Sequence, residues 1–173
     1  MAKRALLVID MLNDFLLPGA PLEVPKGREA IPCIESEIHR ARLEEVPIIY
    51  VCDNHAPDDP EFAKWPPHCI RGTEGSEVVR ELAPREGDII VPKTRYSGFY
   101  GTDLEEVLNG LGVEMLTVTG ILTDICIMFT SCDAFMRGYS IQISESCVAA
   151  LSDEDHNAAL NQIERLMEAE VVR

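Results

Sequence analysis

Glu114-Met-Leu-Thr-Val-Thr119, followed at once by Gly120-Ile-Leu-Thr-Asp-Ile-Cys126, is the stretch that decides the fold. The first half is a short apolar run that does not alternate cleanly with polar residues, the pattern of a strand buried on both faces of a parallel sheet. The second half is a turn. Beyond it, residues 124–137 carry Ile125, Met128, Phe129, Cys132 and Phe135 at helical spacing. Strand, turn and helix in that order form half of a βαβ unit. With Thr123 or Asp124 as the N-cap, Cys126 falls about two residues inside the helix. There, unpaired backbone N–H groups and the positive end of the helix dipole stabilise a thiolate.

Working outward, similar apolar runs occur at Ala5–Ile9, Pro47–Val51, Asp88–Val91 and Tyr139–Ile143. Between the first two, Ile31, Ile34, Ile38 and Ala41 mark one face of a helix over about 28–45. Ser152 with Asp155 resembles a capping box, opening a helix that buries Leu160, Ile163 and Met167. A Val171-Val172 tail adds an edge strand. The expectation is one α/β domain over residues 1–173, in three α/β/α layers around a mostly parallel five- or six-stranded sheet. The long irregular stretch 53–73, with Pro57, Pro60, Pro66 and Pro67, reads as a functional loop.

The 173 residues suffice for one core. Fifteen Lys and Arg against thirty Asp and Glu give a net charge of −15, which repels nucleic acid and anionic membranes. Ala5–Ile9 is too short for a signal core or a membrane span. The six cysteines (Cys33, Cys52, Cys69, Cys126, Cys132, Cys147) form no C-x-x-C pair. A reduced, cytoplasmic setting is therefore expected, with one cysteine chemical and the rest packing.

In an open parallel sheet, ligands bind outside the carboxyl ends of the strands. Asp10 follows the first strand, Asp53 and His55 the second, Lys93 the third and Cys126 the fourth, so all meet along one edge. Cys126 can attack, Lys93 can stabilise its thiolate, Asp10 can move its proton, and backbone N–H groups can hold an oxyanion. Position alone equally fits one more buried thiol. Asp53, His55, Glu61 and His68 offer carboxylate and imidazole ligands for a divalent ion, with Zn²⁺, Mn²⁺ or Fe²⁺ suited to the set; the same types are also ordinary loop residues. Phe15, Trp65 and Tyr96 either line a slot for a planar ligand or pack the core. His39 falls on the polar side of its helix, and His156 in the first turn of the last helix is assigned no chemistry.

These residues resemble those of the isochorismatase-like cysteine hydrolases. Val-Ile-Asp-Met-Leu-Asn-Asp-Phe (8–15) is similar to the family's opening around its acid/base Asp, and Pro-Lys-Thr-Arg-Tyr-Ser-Gly-Phe (92–99) to the segment carrying its Lys. Thr-Gly-Ile-Leu-Thr-Asp-Ile-Cys-Ile (119–127) resembles the nucleophile turn, and Asp-Ala-Phe-Met-Arg-Gly-Tyr (133–139) its sequel. The resemblance covers about residues 4–165. It implies an Asp10–Lys93–Cys126 triad, a cis peptide at Ile121–Leu122, and an oxyanion hole from the N–H groups of Leu122 and Cys126. Similarity to nicotinamidases implies a metal on Asp53, His55 and His68 with Glu61 as an additional carboxylate, and a pyridine ring held by Trp65, Tyr96 and Phe15. The implied partner is a small aromatic amide, and the implied assembly a homo-oligomer.

Within the family, 65–73 also resembles loops of enzymes that hydrolyse isochorismate without metal, and ureido compounds or other small amides are further alternatives. A non-enzymatic phosphoacceptor domain would need an acidic pair after the first strand, and here Asp10 is followed by Met11. An inactive binding member would lack a triad residue, whereas all three are present. Neither glycine-rich nucleotide motif occurs.

Overall fold

The computed structural model describes residues 2–173. Strand β1 (Arg4–Ile9) is followed by a short helix α1 (Asn13–Leu16), helix α2 (Gly27–Leu43) and β2 (Ile48–Asp53). Then come β3 (Ile89–Lys93), α3 (Leu104–Leu111), β4 (Met115–Ile121), α4 (Met128–Met136) and β5 (Ser140–Ser144). The chain closes with β6 (Val148–Ala149), α5 (Asp153–Met167) and β7 (Glu170–Val172). The sheet runs β3-β2-β1-β4-β5-β7, every pairing is parallel, and β6 adds to the end of β4. Five or six strands were expected and there are seven; the two-residue β6 is too short to leave a sequence signal.

Continuous apolar runs arise because both faces of the sheet are covered. In β1, Ala5, Leu7 and Ile9 pack on the side of α3, α4 and α5, while Leu6 and Val8 pack against α2. Trimming one such side chain to Ala would cost about 2–5 kcal/mol. At the outer strand β3 the burial alternates, and Ile90 is exposed. The predicted helix near 28–45 is α2, with Ile34, Ile38 and Ala41 buried and Ile31 partly so. Ser152 caps the helix as expected: the Asp155 N–H donates to its hydroxyl at 3.1 Å, and Leu160, Ile163 and Met167 are buried. The Asp155 carboxylate accepts from the Ser152 hydroxyl rather than from its backbone N–H.

Three expectations are corrected. Of the expected stripe, Ile125, Met128 and Cys132 pack partly buried against the core, but Thr130, Ser131 and Ala134 are the buried residues of α4, while Phe129, Phe135 and Met136 are exposed. Small residues allow the helix to approach the 97–99 loop, where the Gly98 N–H donates to the Thr130 hydroxyl at 2.9 Å. Second, neither Thr123 nor Asp124 caps the turn before α4. Leu122 occupies that position, and Thr123–Ile127 is wound as a π-type turn in which the Ile127 N–H donates to the Leu122 carbonyl at 3.1 Å. Third, not all cysteines beside Cys126 are packing thiols: Cys33 and Cys147 form a disulfide between α2 and the segment after β5. The peptide Ile121–Leu122 is cis. No helix among the described residues is long and apolar enough to cross a membrane.

Candidate active site

The carboxyl ends of β1, β2, β3 and β4 meet where β1 gives way to Asp10. Gly120 makes this approach possible, since a Cβ there would lie 2.0 Å from the Ile9 carbonyl oxygen, and its φ is +117°. Asp10 itself has φ +54°, a left-handed conformation that a non-glycine residue adopts at some cost. Its backbone is locked by N–H donation to the Val51 carbonyl at 3.0 Å and by acceptance from the Leu12 N–H at 2.8 Å. Its carboxylate accepts the Asp53 N–H at 2.8 Å.

Lys93 ends β3 and is 1% exposed. Its ammonium lies 2.7 Å from Asp10 Oδ2, 2.5 Å from Asp53 Oδ1 and 3.6 Å from Cys126 Sγ. The three expected triad residues are thus in one cluster. Burial works against the Lys93 charge, but Asp10 and Asp53 outweigh it and hold the ammonium well above its ordinary pKa. Burial, reinforced by repulsion from Asp53, raises Asp10 to about 6. Burial also pushes the Cys126 thiol well above its usual range; Lys93 opposes this, while Asp10 and Asp53 add to it. Desolvation thus outweighs one cation shared with two carboxylates.

The 53–73 loop closes on itself to bring two imidazoles together. The His55 N–H donates to the Cys69 carbonyl at 3.0 Å and the Arg71 N–H to the His55 carbonyl at 2.9 Å, a strand-like bridge. Asp14 fastens the loop to α1 by accepting the Cys69 N–H at 2.7 Å. As a result, the Nε2 atoms of His55 and His68 each lie 3.7 Å from Asp53 Oδ2. The three residues are buried with one ligand atom of each within 4.8 Å of the others. Burial opposes the Asp53 charge, yet Lys93 and the two facing imidazoles hold it far below the usual carboxylate range.

His55 Nε2 is buried and has no hydrogen-bond partner, while its Nδ1 lies 3.0 Å from Asp59 Oδ2. One imidazole nitrogen is fixed and the other is left facing a carboxylate and a second imidazole. That donor set fits a borderline divalent ion. Glu61 is outside this trio and groups instead with His55 and Asp59; it lines the adjoining cavity, and burial followed by Asp53 raises its pKa. Sequence reasoning missed Asp59, which Arg95 holds at 3.0 Å. Its signal was an acidic residue four positions after His55 and just before a proline.

A cavity of about 270 Å³ opens onto these groups. Phe15, Trp65 and Tyr96 all line it, so the three expected aromatics converge, and Leu22, Ile125 and Leu151 extend the apolar wall unforeseen. The Trp65 indole N–H donates to the Tyr96 hydroxyl at 3.0 Å, bracing two of the walls. Asp10, Glu23, Asp53 and Glu61 contribute carboxylates, and no Lys or Arg is among the described lining residues. His39 is exposed as expected. His156 approaches Thr123 rather than the cavity.

A three-layer parallel α/β sheet with a buried Cys–Lys–Asp cluster at its carboxyl edge defines a class of small-molecule hydrolases. Residues 4–173 match the family model of the isochorismatase domain. The chain belongs to the isochorismatase family. Among solved structures it is similar to N-carbamoylsarcosine amidase from Thermoplasma acidophilum (37% identity, TM-score 0.91, covering 99% of this chain and 96% of that one). It is also similar to nicotinamidase/pyrazinamidase from Bacillus subtilis (34%, TM-score 0.94, 99% and 100%). A third is the pyrazinamidase of Pyrococcus horikoshii, solved in complex with zinc (31%, TM-score 0.92, 99% and 99%).

Proposed function

We propose that the protein is a metal-assisted cysteine amidohydrolase that converts nicotinamide, or the related pyrazinamide, to the acid and ammonia, as part of pyridine nucleotide salvage. The observation that carries this reading is an aromatic-walled cavity free of Lys and Arg, with Cys126 on one side and Asp53 and His68, backed by His55, on the other. Asp10 accepts the thiol proton as Cys126 Sγ attacks the amide carbon, and Lys93 stabilises the developing thiolate. Backbone N–H groups of Leu122 and Cys126 receive the carbonyl oxygen as it becomes an oxyanion. Asp10 returns the proton to the leaving nitrogen, ammonia departs, and a thioester remains on Cys126. Asp10 then takes a proton from water, whose oxygen attacks the thioester; the C–S bond breaks to free the acid, and Asp10 returns the proton to the Cys126 sulfur.

Asp53, His55 and His68 would hold the divalent ion, zinc by analogy with the Pyrococcus horikoshii relative, with Glu61 nearby. When bound, such an ion supplies a Lewis-acidic site suited to a pyridine nitrogen. The faces of the ring would rest on Phe15, Trp65 and Tyr96. Isochorismate carries two carboxylates and N-carbamoylsarcosine one, and the four lining carboxylates disfavour both. Arg71 and Arg95 do not supply the missing cation, since neither lines the cavity; Arg71 is turned to Asn54 and Arg95 to Asp59.

Ammonia release from nicotinamide by purified protein, with and without chelator, tests the proposal. Turnover that falls on chelation is expected. Hydrolysis of isochorismate by metal-free protein that ignores both nicotinamide and pyrazinamide overturns it.

A further inference from the structure

The turn that carries Cys126 begins at Thr123, which is completely buried. No side chain caps the start of this turn. The Leu122 carbonyl accepts both the Ile125 and the Ile127 N–H at 3.1 Å. The Met128 N–H closes the other end of the turn onto the Thr123 and Ile125 carbonyls; these bonds fix its winding, and its orientation depends on what it is fastened to. The fastening is a side-chain bond to another element: Thr123 Oγ1 lies 2.9 Å from Nδ1 of His156 in α5.

Helix α5 is suited to serve as the fixed post. Its first turn is capped by Ser152, which is bonded to both the N–H and the carboxylate of Asp155, and Ala159, Leu160, Ile163 and Met167 seat it in the core. His156 does not line the cavity that holds Cys126. It borders a separate cavity of about 250 Å³ with Lys26, Glu145 and Asp153. Contact with substrate is therefore not its route of action.

We propose that His156 is a positioning residue for the reaction: through Thr123 it fixes the angle of the nucleophile turn, and hence of Cys126 and its backbone N–H. This rests on the nucleophile assignment made above, not on the identity of the amide. A buried hydroxyl that loses its partner must find another or remain unsatisfied. With no partner in His156→Ala, Thr123 would draw the turn toward whatever acceptor relaxation offers, and a displacement of about 1 Å at a nucleophile can cost about 100-fold. The bond needs only a polar atom at the Nδ1 position, which Asn provides.

The experiment compares His156→Ala, His156→Asn, Thr123→Val and the His156→Ala/Thr123→Val double variant. With nicotinamide, His156→Ala and Thr123→Val are expected to lose kcat by about 10- to 100-fold while KM stays within about twofold. His156→Asn is expected to recover most of kcat, and the double variant to be no worse than either single one, because both remove the same bond. Retention of more than half of kcat in His156→Ala overturns the proposal, as does failure of Asn to rescue or an additive double loss. If the wild type leaves nicotinamide untouched, the substrate reading fails, and His156 is then tested by alkylation of Cys126 with iodoacetamide. A rate change of at least about fivefold in His156→Ala and Thr123→Val, absent in His156→Asn, supports the positioning role; equal rates in all four proteins overturn it.

Discussion

The Lys93 ammonium sits 2.7 Å from the Asp10 carboxylate, with side chains 0% and 2% exposed, and shares its charge with Asp53 at 2.5 Å. Two carboxylates therefore depend on one buried cation. Removing a single member of such a cluster leaves an uncompensated buried charge, which destabilises by about 3–5 kcal/mol.

Lys93→Met, which keeps much of the apolar stem, should show both consequences of that dependence. Urea unfolding should report a loss of about 3–5 kcal/mol. Turnover should fall by several orders of magnitude, and Asp10→Asn/Lys93→Met should cost less than the two single losses combined, because the groups act as a unit. If Lys93→Met keeps more than about a tenth of the wild-type rate, Lys93 is not part of the triad.

Asp59 orients His55 from behind, so its effect should appear in metal affinity. Asp59→Asn should weaken binding of Zn²⁺ by about 10- to 100-fold, as loss of the acceptor behind a ligating imidazole does elsewhere. His55→Ala and His68→Ala should abolish binding. Elemental analysis should find about one ion per wild-type chain, and calorimetric titration of the stripped protein measures the affinities. Unchanged affinity in Asp59→Asn would show that the His55–Asp59 contact does not set the ligand.

His156 gives the fold a pH dependence distinct from that of the site. Burial lowers its pKa from 6.5; Glu145, Asp153 and Asp124 pull the other way, while Lys26 adds to the lowering. The unfolded chain then binds a proton at a higher pH than the folded one. The contribution is complete above pH 6.5 and is lost as pH falls from there through the folded value. Unfolding free energy of wild type relative to His156→Asn should therefore decline between pH 7.5 and pH 5.5. A rise over the same interval would mean that the neighbouring carboxylates, and not burial, govern the imidazole.

What the sequence made legible was whatever follows from topology. Once the apolar runs are read as parallel strands, Asp10, Lys93 and Cys126 must meet at the carboxyl edge, and they do. His55 and His68 were legible as donors, although the bridge that pairs His55 with Ile70 was not. The failures share a cause, which is dependence on tertiary contact. Phe129 and Phe135 fit a helical stripe, but close approach of the 97–99 loop selected Thr130, Ser131 and Ala134 for the interior. His156 gave no signal because its partner, Thr123, lies 33 residues away on another element.

The Cys33–Cys147 disulfide was equally hidden, since its halves are 114 residues apart, and it supports the last prediction. It joins α2 to the residues that lead directly into β6. Val148 and Ala149 of β6 pair with Gly120 and Ile121 at the end of β4, one residue before Leu122. Leu151, just beyond, lines the cavity. Closing so long a loop restricts the unfolded chain, and native disulfides of this kind typically contribute about 2–4 kcal/mol. Thiol titration of the denatured protein should find four free cysteines (Cys52, Cys69, Cys126 and Cys132) before reduction. All six should titrate after reduction. Reduction, or Cys33→Ala/Cys147→Ala, should lower unfolding free energy by about 2–4 kcal/mol. Hydrogen exchange should speed up in residues 145–151 more than in β1. Six free thiols in protein purified without reductant, or exchange unchanged across 145–151, would show that the bond does not brace this end of β4.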